Sequence, residues 1–315
     1  MININFIKKL KVIIFLATVY LSVSCASLSL NSVREYTWEE ITQRVNCCNS
    51  CSFKPVLDLT DRDSLLIYTT IKKTGDPSTE EQLDSSLEEY LLTTNFDPYI
   101  VSIYLERALN HERPKNIYTN YERILPILLK YNEIELDNSL PLYYLSYYYA
   151  LKADYSLSFK YLIEGNKRNK MDYIREINNI IFNHVYDKTK NKCCSYAYSQ
   201  INLINPLYRN LSKILLDTDL SISHLEDIYE FGEKIEDASL TVFGKGYGVF
   251  MQYDVAKKEK NEELATELLQ KRDSYYELLW RSFDSKLTEQ DYKLYLKNQH
   301  EMGEVYALKN LLRLE

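Results

Sequence analysis

A chain of 315 residues with 45% hydrophobic composition can bury a large core, as one extended domain or two compact ones. Its formal charge is −7, and its lysines and arginines form no stripe able to neutralise phosphates, which argues against nucleic-acid binding and against charge-driven adsorption to anionic lipid. Only 7 Gly and 7 Pro interrupt the chain, and long segments carry apolar residues three and four apart, so the expected fold class is all-α, built of antiparallel helical hairpins joined by short turns.

The N-terminus, MININFIKKLKVIIFLATVYLSVSCASL, places Lys8, Lys9 and Lys11 before an apolar run from Val12 to Leu21 and small residues around Cys25. That order is the order of a secretory signal, and the apolar core is too short to remain as a spanning helix. Its end, Leu21-Ser22-Val23-Ser24-Cys25, resembles the lipobox of bacterial lipoproteins, of the relaxed kind in which leucine stands one step further out than usual. The resemblance implies that residues 1–24 are removed and that Cys25 is lipidated, leaving the chain exported and anchored to a bacterial membrane, on its periplasmic or its surface side. Cleavage after Ala26, at the small-x-small site Ser24-Cys25-Ala26, is the alternative. Loss of residues 1–24 takes away three lysines and no acid and moves the formal charge from −7 to −10. Residues 25–37 then read as a flexible tether and 38–315 as the folded body.

Within the body, Thr60-Asp61-Arg62-Asp63 has the hydroxyl-to-carboxylate spacing of a capping box ahead of Leu65, Leu66 and Ile67. Ser78-Thr79-Glu80-Glu81 opens a second helix that runs to about Leu92. Residues 98–110 and 115–131 form a pair, with Pro126 a kink in the second member.

The clearest unit is SLPLYYLSYYYALKADYSLSFKYLIEGNKR, residues 139–168. Leu142, Leu145 and Tyr149, then Leu157, Phe159 and Leu162, give two apolar faces separated by Ala153-Asp154, as two antiparallel helices require. Leu145 with small Ser146, Tyr149, the Ala153-Asp154-Tyr155 turn, small Ser158, Leu162 and Gly165 together resemble a tetratricopeptide repeat, a helical hairpin of about 34 residues. Ser158 stands where that family has Ala, and Lys170 where it has a closing Pro. The segments 98–131, 171–217 and 238–285 read as degenerate hairpins of the same kind, so the resemblance implies a stacked α-solenoid. It also implies that the first helix of the unit lines a concave groove, which nominates Leu140, Tyr143, Tyr147, Ala150 and Leu151 as ligand-facing residues. Tyrosine, with 29 copies, suits recognition of an extended peptide or a partner helix; the competing use of each ring is packing between helices.

Residues 243–250, FGKGYGVF, are no phosphate loop, since no Lys-Ser/Thr follows and the context is helical; Gly244 and Gly248 share a helix face and suggest close approach of a neighbouring helix. The four histidines are scattered, no HExxH spacing or serine elbow occurs, and no metal or other cofactor is expected. The remaining cysteines are Cys47, Cys48 and Cys51 in CCNSC and the adjacent pair Cys193-Cys194. A four-thiolate zinc site and a redox pair Cys48/Cys51 are both disfavoured, the first by the adjacency of Cys193 and Cys194, the second by the missing strand-helix-strand setting. In an exported chain the preferred reading is a disulfide tie between CCNSC and Cys193 or Cys194, of unspecified pairing, with one thiol left over.

Together these features lead to an expectation of a membrane-tethered, non-catalytic helical-repeat scaffold that binds an envelope protein or peptide. A solute-binding accessory protein and an enzyme with an unrecognised site are the alternatives, an enclosed pocket with converging polar groups being their signature.

Overall fold

The computed structural model describes residue 37 and residues 61–71, 77–93, 96–109, 121–171, 174–199 and 206–314. Residues 1–36, which include the expected signal and all but the last residue of the expected tether, lie outside these residues, as do CCNSC and the Asn110–Pro114 break. Among the described residues the chain forms fourteen α-helices, one 3-10 helix and no strand, as the periodicity anticipates. In chain order they are α1 (Arg62–Ile71), α2 (Pro77–Thr93), α3 (Pro98–Ala108), α4 (Tyr121–Ile134), α5 (Leu140–Leu151), α6 (Tyr155–Asn166), α7 (Ile174–Thr189), α8 (Lys192–Ser199), α9 (Pro206–Leu216), the 3-10 helix Asp219–His224, α10 (Leu225–Ala238), α11 (Val242–Lys258), α12 (Glu262–Phe283), α13 (Glu289–Met302) and α14 (Glu304–Leu311).

Local chemistry starts these helices close to where the sequence signals stand. For α1 the capping group is the Asp61 carboxylate, which accepts from Ser64 N at 3.0 Å. Asp97 caps α3 by accepting from Tyr99 N and Ile100 N, with Pro98 in the first turn, where its missing N–H costs nothing. Asp154 caps α6 through Leu157 N, Asn261 caps α12 through Leu264 N, and Thr288 forms a reciprocal capping box with Asp291 on α13. Pro126 sits inside α4.

The hairpin α5–α6 is the centre of the largest core. Its turn passes through Ala153 at φ 58°, a left-handed residue that lets Asp154 N reach the Tyr149 carbonyl at 2.9 Å. Its open end is closed by an isolated parallel bridge between Asn138 and Lys170, with Ser139 N donating to Lys170 O at 2.7 Å, and by Arg168 donating to the Glu135 and Asn138 carbonyls. Ser146 and Ser158, both fully buried, touch hydroxyl to hydroxyl at 3.1 Å, so the small residues singled out by the repeat resemblance stand at the helix contact. Gly165 does the same against Tyr143, whose ring would lie 2.6 Å from any added Cβ.

The packing order departs from simple succession. Besides α4, which precedes α5 and packs on it, the neighbours of α5 and α6 in space are α9 and α10, whereas α7 and α8 pair with each other and reach out to α1 and α13. Residues 171–217 are therefore not one hairpin: α7–α8 closes on itself through Lys190 at φ 52°, and α9 joins α10 as the next layer on α5–α6. The segment 238–285 does form the hairpin α11–α12, with α10 packed on its other side. At that crossing Gly248 lies so close that a Cβ would stand 2.5 Å from Glu236 N and Gly232 O, which explains a glycine-rich first half in a helix otherwise penalised for it. Gly246 faces the Tyr276 ring instead, and Gly244 its own N-terminal turn at Ser239 and Thr241.

Candidate functional site

Helix α5 is apolar on every side, and such a helix is a core helix. Leu140, Tyr143, Tyr147 and Ala150 are all buried, and Leu151 is half-buried against the same core. The face nominated as groove lining is covered in this chain by the next layer. Tyr143 packs on Phe231 of α10 with ring centroids 4.5 Å apart, and its hydroxyl donates to Asn166 Oδ1 at 2.9 Å; Asn166 in turn donates to the Asp227 carbonyl at 2.8 Å. Tyr147 accepts from Asn210 Nδ2 of α9 at 3.2 Å. On an adjacent face Tyr144 donates to the Ser102 carbonyl of α3. Burial pushes the Tyr143 hydroxyl well above the ordinary tyrosine range, so it stays a neutral donor. Tyr149, expected as a core ring at the helix contact, does stack on Tyr161 of α6 with centroids 5.4 Å apart but is only half-buried.

Cys194 is buried on α8 and is disulfide-bonded. Its partner lies outside the described side chains.

The titratable clusters were invisible to spacing arguments because each joins distant helices. Glu236 of α10 is buried and accepts from Gln252 at 3.1 Å, Lys271 at 2.9 Å and the Tyr275 hydroxyl at 2.7 Å. Burial opposes its charge, but these three donors outweigh it and hold the carboxyl below its usual range. Every oxygen is engaged, so this is a three-helix clamp. Glu304 opens α14 as a buried residue and accepts from Val242 N at 2.7 Å and from the Tyr295 hydroxyl; burial pushes its carboxyl up to about 7. Ser199 Oγ lies 3.0 Å from His300 Nδ1, the residue types of a nucleophile and its base. Ser199 is fully buried, however, and His300 is held between Phe182 and Tyr196 with centroids at 5.0 and 5.4 Å, so the pair is a packing junction of α8 and α13 that no substrate reaches. Burial lowers the His300 imidazole, which favours its neutral form.

Among the described residues no group of His, Cys, Asp and Glu has the geometry to hold a metal, and no helix is long and apolar enough to cross a membrane. No protein-family model, no curated protein and no solved structure matches the chain.

Proposed function

We propose that the chain is an exported, lipid-anchored helical scaffold that binds another envelope protein or peptide and performs no catalysis itself. The observation that carries the reading is the conjunction of a cysteine-ended export signal at Cys25 with a disulfide on Cys194, since persistent disulfides belong to oxidising compartments outside the cytosol. With Cys25 given to lipid, the reading pairs Cys194 with one of Cys47, Cys48 and Cys51, a bond that would tie the N-terminal segment to α8. Helical layers stacked on long rigid faces offer partner surfaces, in the way of tetratricopeptide-like repeats. Because α9 and α10 already occupy the α5 face, the partner docks elsewhere on the body.

Detergent phase partitioning of the full chain tests the anchor. The wild type enters the detergent phase and Cys25→Ala stays in the aqueous phase; equal partitioning of the two contradicts it. Non-reducing peptide mapping of the same preparation recovers the Cys194 peptide joined to residues 47–51, and recovery of Cys194 as a free thiol contradicts the tie.

A further inference from the structure

A cavity of about 440 Å³ opens where α9 meets α11, near the low end of the range typical of small-ligand sites. Its apolar wall is Leu216 from α9 with Phe250 and Met251 from α11, and Phe250 is 40% exposed although most large rings among the described residues are buried or half-buried. Into this wall α11 presents the half-buried carboxylate of Asp254. Asp254 has no hydrogen bond or ion pair among the described residues, and burial alone raises its pKa.

The lack of a partner has a visible cause. Lys258 stands one turn beyond Asp254 on the same helix, the spacing at which a lysine ordinarily neutralises a carboxylate. Here its ammonium is turned away to donate to the Leu216 carbonyl, at the C-terminal end of α9, and to Ser221 Oγ at 2.7 Å. That placement satisfies an orphan carbonyl at the negative end of the α9 dipole and fastens the 3-10 helix to α11. The other charges of the lining, Lys213 and Asp217, are exposed and oppose each other in sign. The lining thus holds two lysines and two aspartates, and Asp254 is the half-buried one, set against the apolar wall with no hydrogen bond or ion pair among the described residues.

We infer that this cavity binds a protonated amine carried on an apolar body, with the ammonium on Asp254 and the body against Leu216, Phe250 and Met251. Two sources carry that chemistry: a small free amine, or a lysine side chain flanked by apolar residues in a partner peptide. A carboxylate of the same shape is rejected, because it would face Asp254 at close range in a half-buried setting. The inference stands on the cavity alone and survives failure of the anchor; a peptide outcome would also define what the scaffold recognises.

The test is calorimetric titration of the purified full chain with 2-phenylethylamine, with an acetylated and amidated Leu-Lys-Leu peptide, and with 3-phenylpropionate. The amine or the peptide binds, the carboxylate does not, and Asp254→Asn weakens binding roughly tenfold or more, as loss of a charged hydrogen bond implies. Binding of the peptide alone assigns the site to a partner's lysine, and binding of the amine alone assigns it to a solute. Because Asp254 has no internal partner, Asp254→Asn keeps or raises the unfolding temperature. Absence of binding by both cations, equal binding of amine and carboxylate, binding indifferent to Asp254→Asn, or a lowered unfolding temperature in that variant each overturns the inference.

Discussion

Helices α5 and α11 each open a helical hairpin that packs against further helices, yet they treat their side chains in opposite ways. Ten of the twelve residues of α5 are buried, and the rings at Tyr143, Tyr144 and Tyr147 each find a polar partner on a neighbouring helix. Only eight of the seventeen residues of α11 are buried, three of its early positions are glycine, and Asp254 is left without a counter-charge beside an exposed Phe250. The aromatic-rich helix is the finished one. Hydroxyls that are satisfied internally have nothing left to offer a ligand, whereas a carboxylate deprived of its lysine has a full interaction to give.

The comparison is broken most directly by truncating one ring on each helix. Tyr143→Ala empties a site between α5, α6 and α10 and leaves Asn166 without its donor, at an expected cost of about 3 to 5 kcal/mol. Phe250→Ala removes a ring already 40% exposed, and its cost is expected to stay under about 1 kcal/mol. Urea unfolding of the two variants decides it: similar losses would mean that α11 holds the core together as firmly as α5 does.

A smaller effect separates the helices by pH. The N-terminus of α11 hangs on buried Glu304, whose carboxyl has an ordinary pKa of 4.5 and is raised to about 7 in the fold. A folded pKa raised in this way means that the folded chain keeps a proton that the unfolded chain has released, so the contribution to stability is complete below pH 4.5 and is lost as pH rises through 7. The full swing is roughly 3 kcal/mol. Stability measured at pH 5 and pH 8 should fall across that window in the wild type and fall much less in Glu304→Gln, with hydrogen exchange at α5 following only the global change. Equal slopes for wild type and variant would show that Glu304 is ionised throughout.

What the sequence disclosed was local. The 139–168 hairpin was legible down to its turn and its small contact residues, because capping by Asp154 and close approach at Ser146, Ser158 and Gly165 are set by neighbours within a few turns. The α11–α12 hairpin and the close helix approach at Gly248 were legible for the same reason. The stacking of α5–α6 on α9–α10 was not, because α7–α8 intervenes in sequence and only long-range packing tells that it is set aside. That single rearrangement moved Tyr143 and Tyr147 from a nominal groove into the core. Asp254 escaped notice for a related reason: with Lys258 one turn away it reads as an ordinary surface pair, and only the pull of the Leu216 carbonyl and Ser221 on that lysine exposes it.

The central claim is that binding falls on the α11 cavity and not on the α5 face, and its peptide form places a partner's lysine there. Photo-crosslinking in intact cells that express the full chain tests it, with p-benzoylphenylalanine placed at Phe250 in one variant and at half-buried Leu151 in another, each confirmed to unfold cooperatively. The account predicts an adduct of higher mass from position 250 that Asp254→Asn abolishes, and none from position 151. An adduct from position 151 with none from position 250 would contradict it.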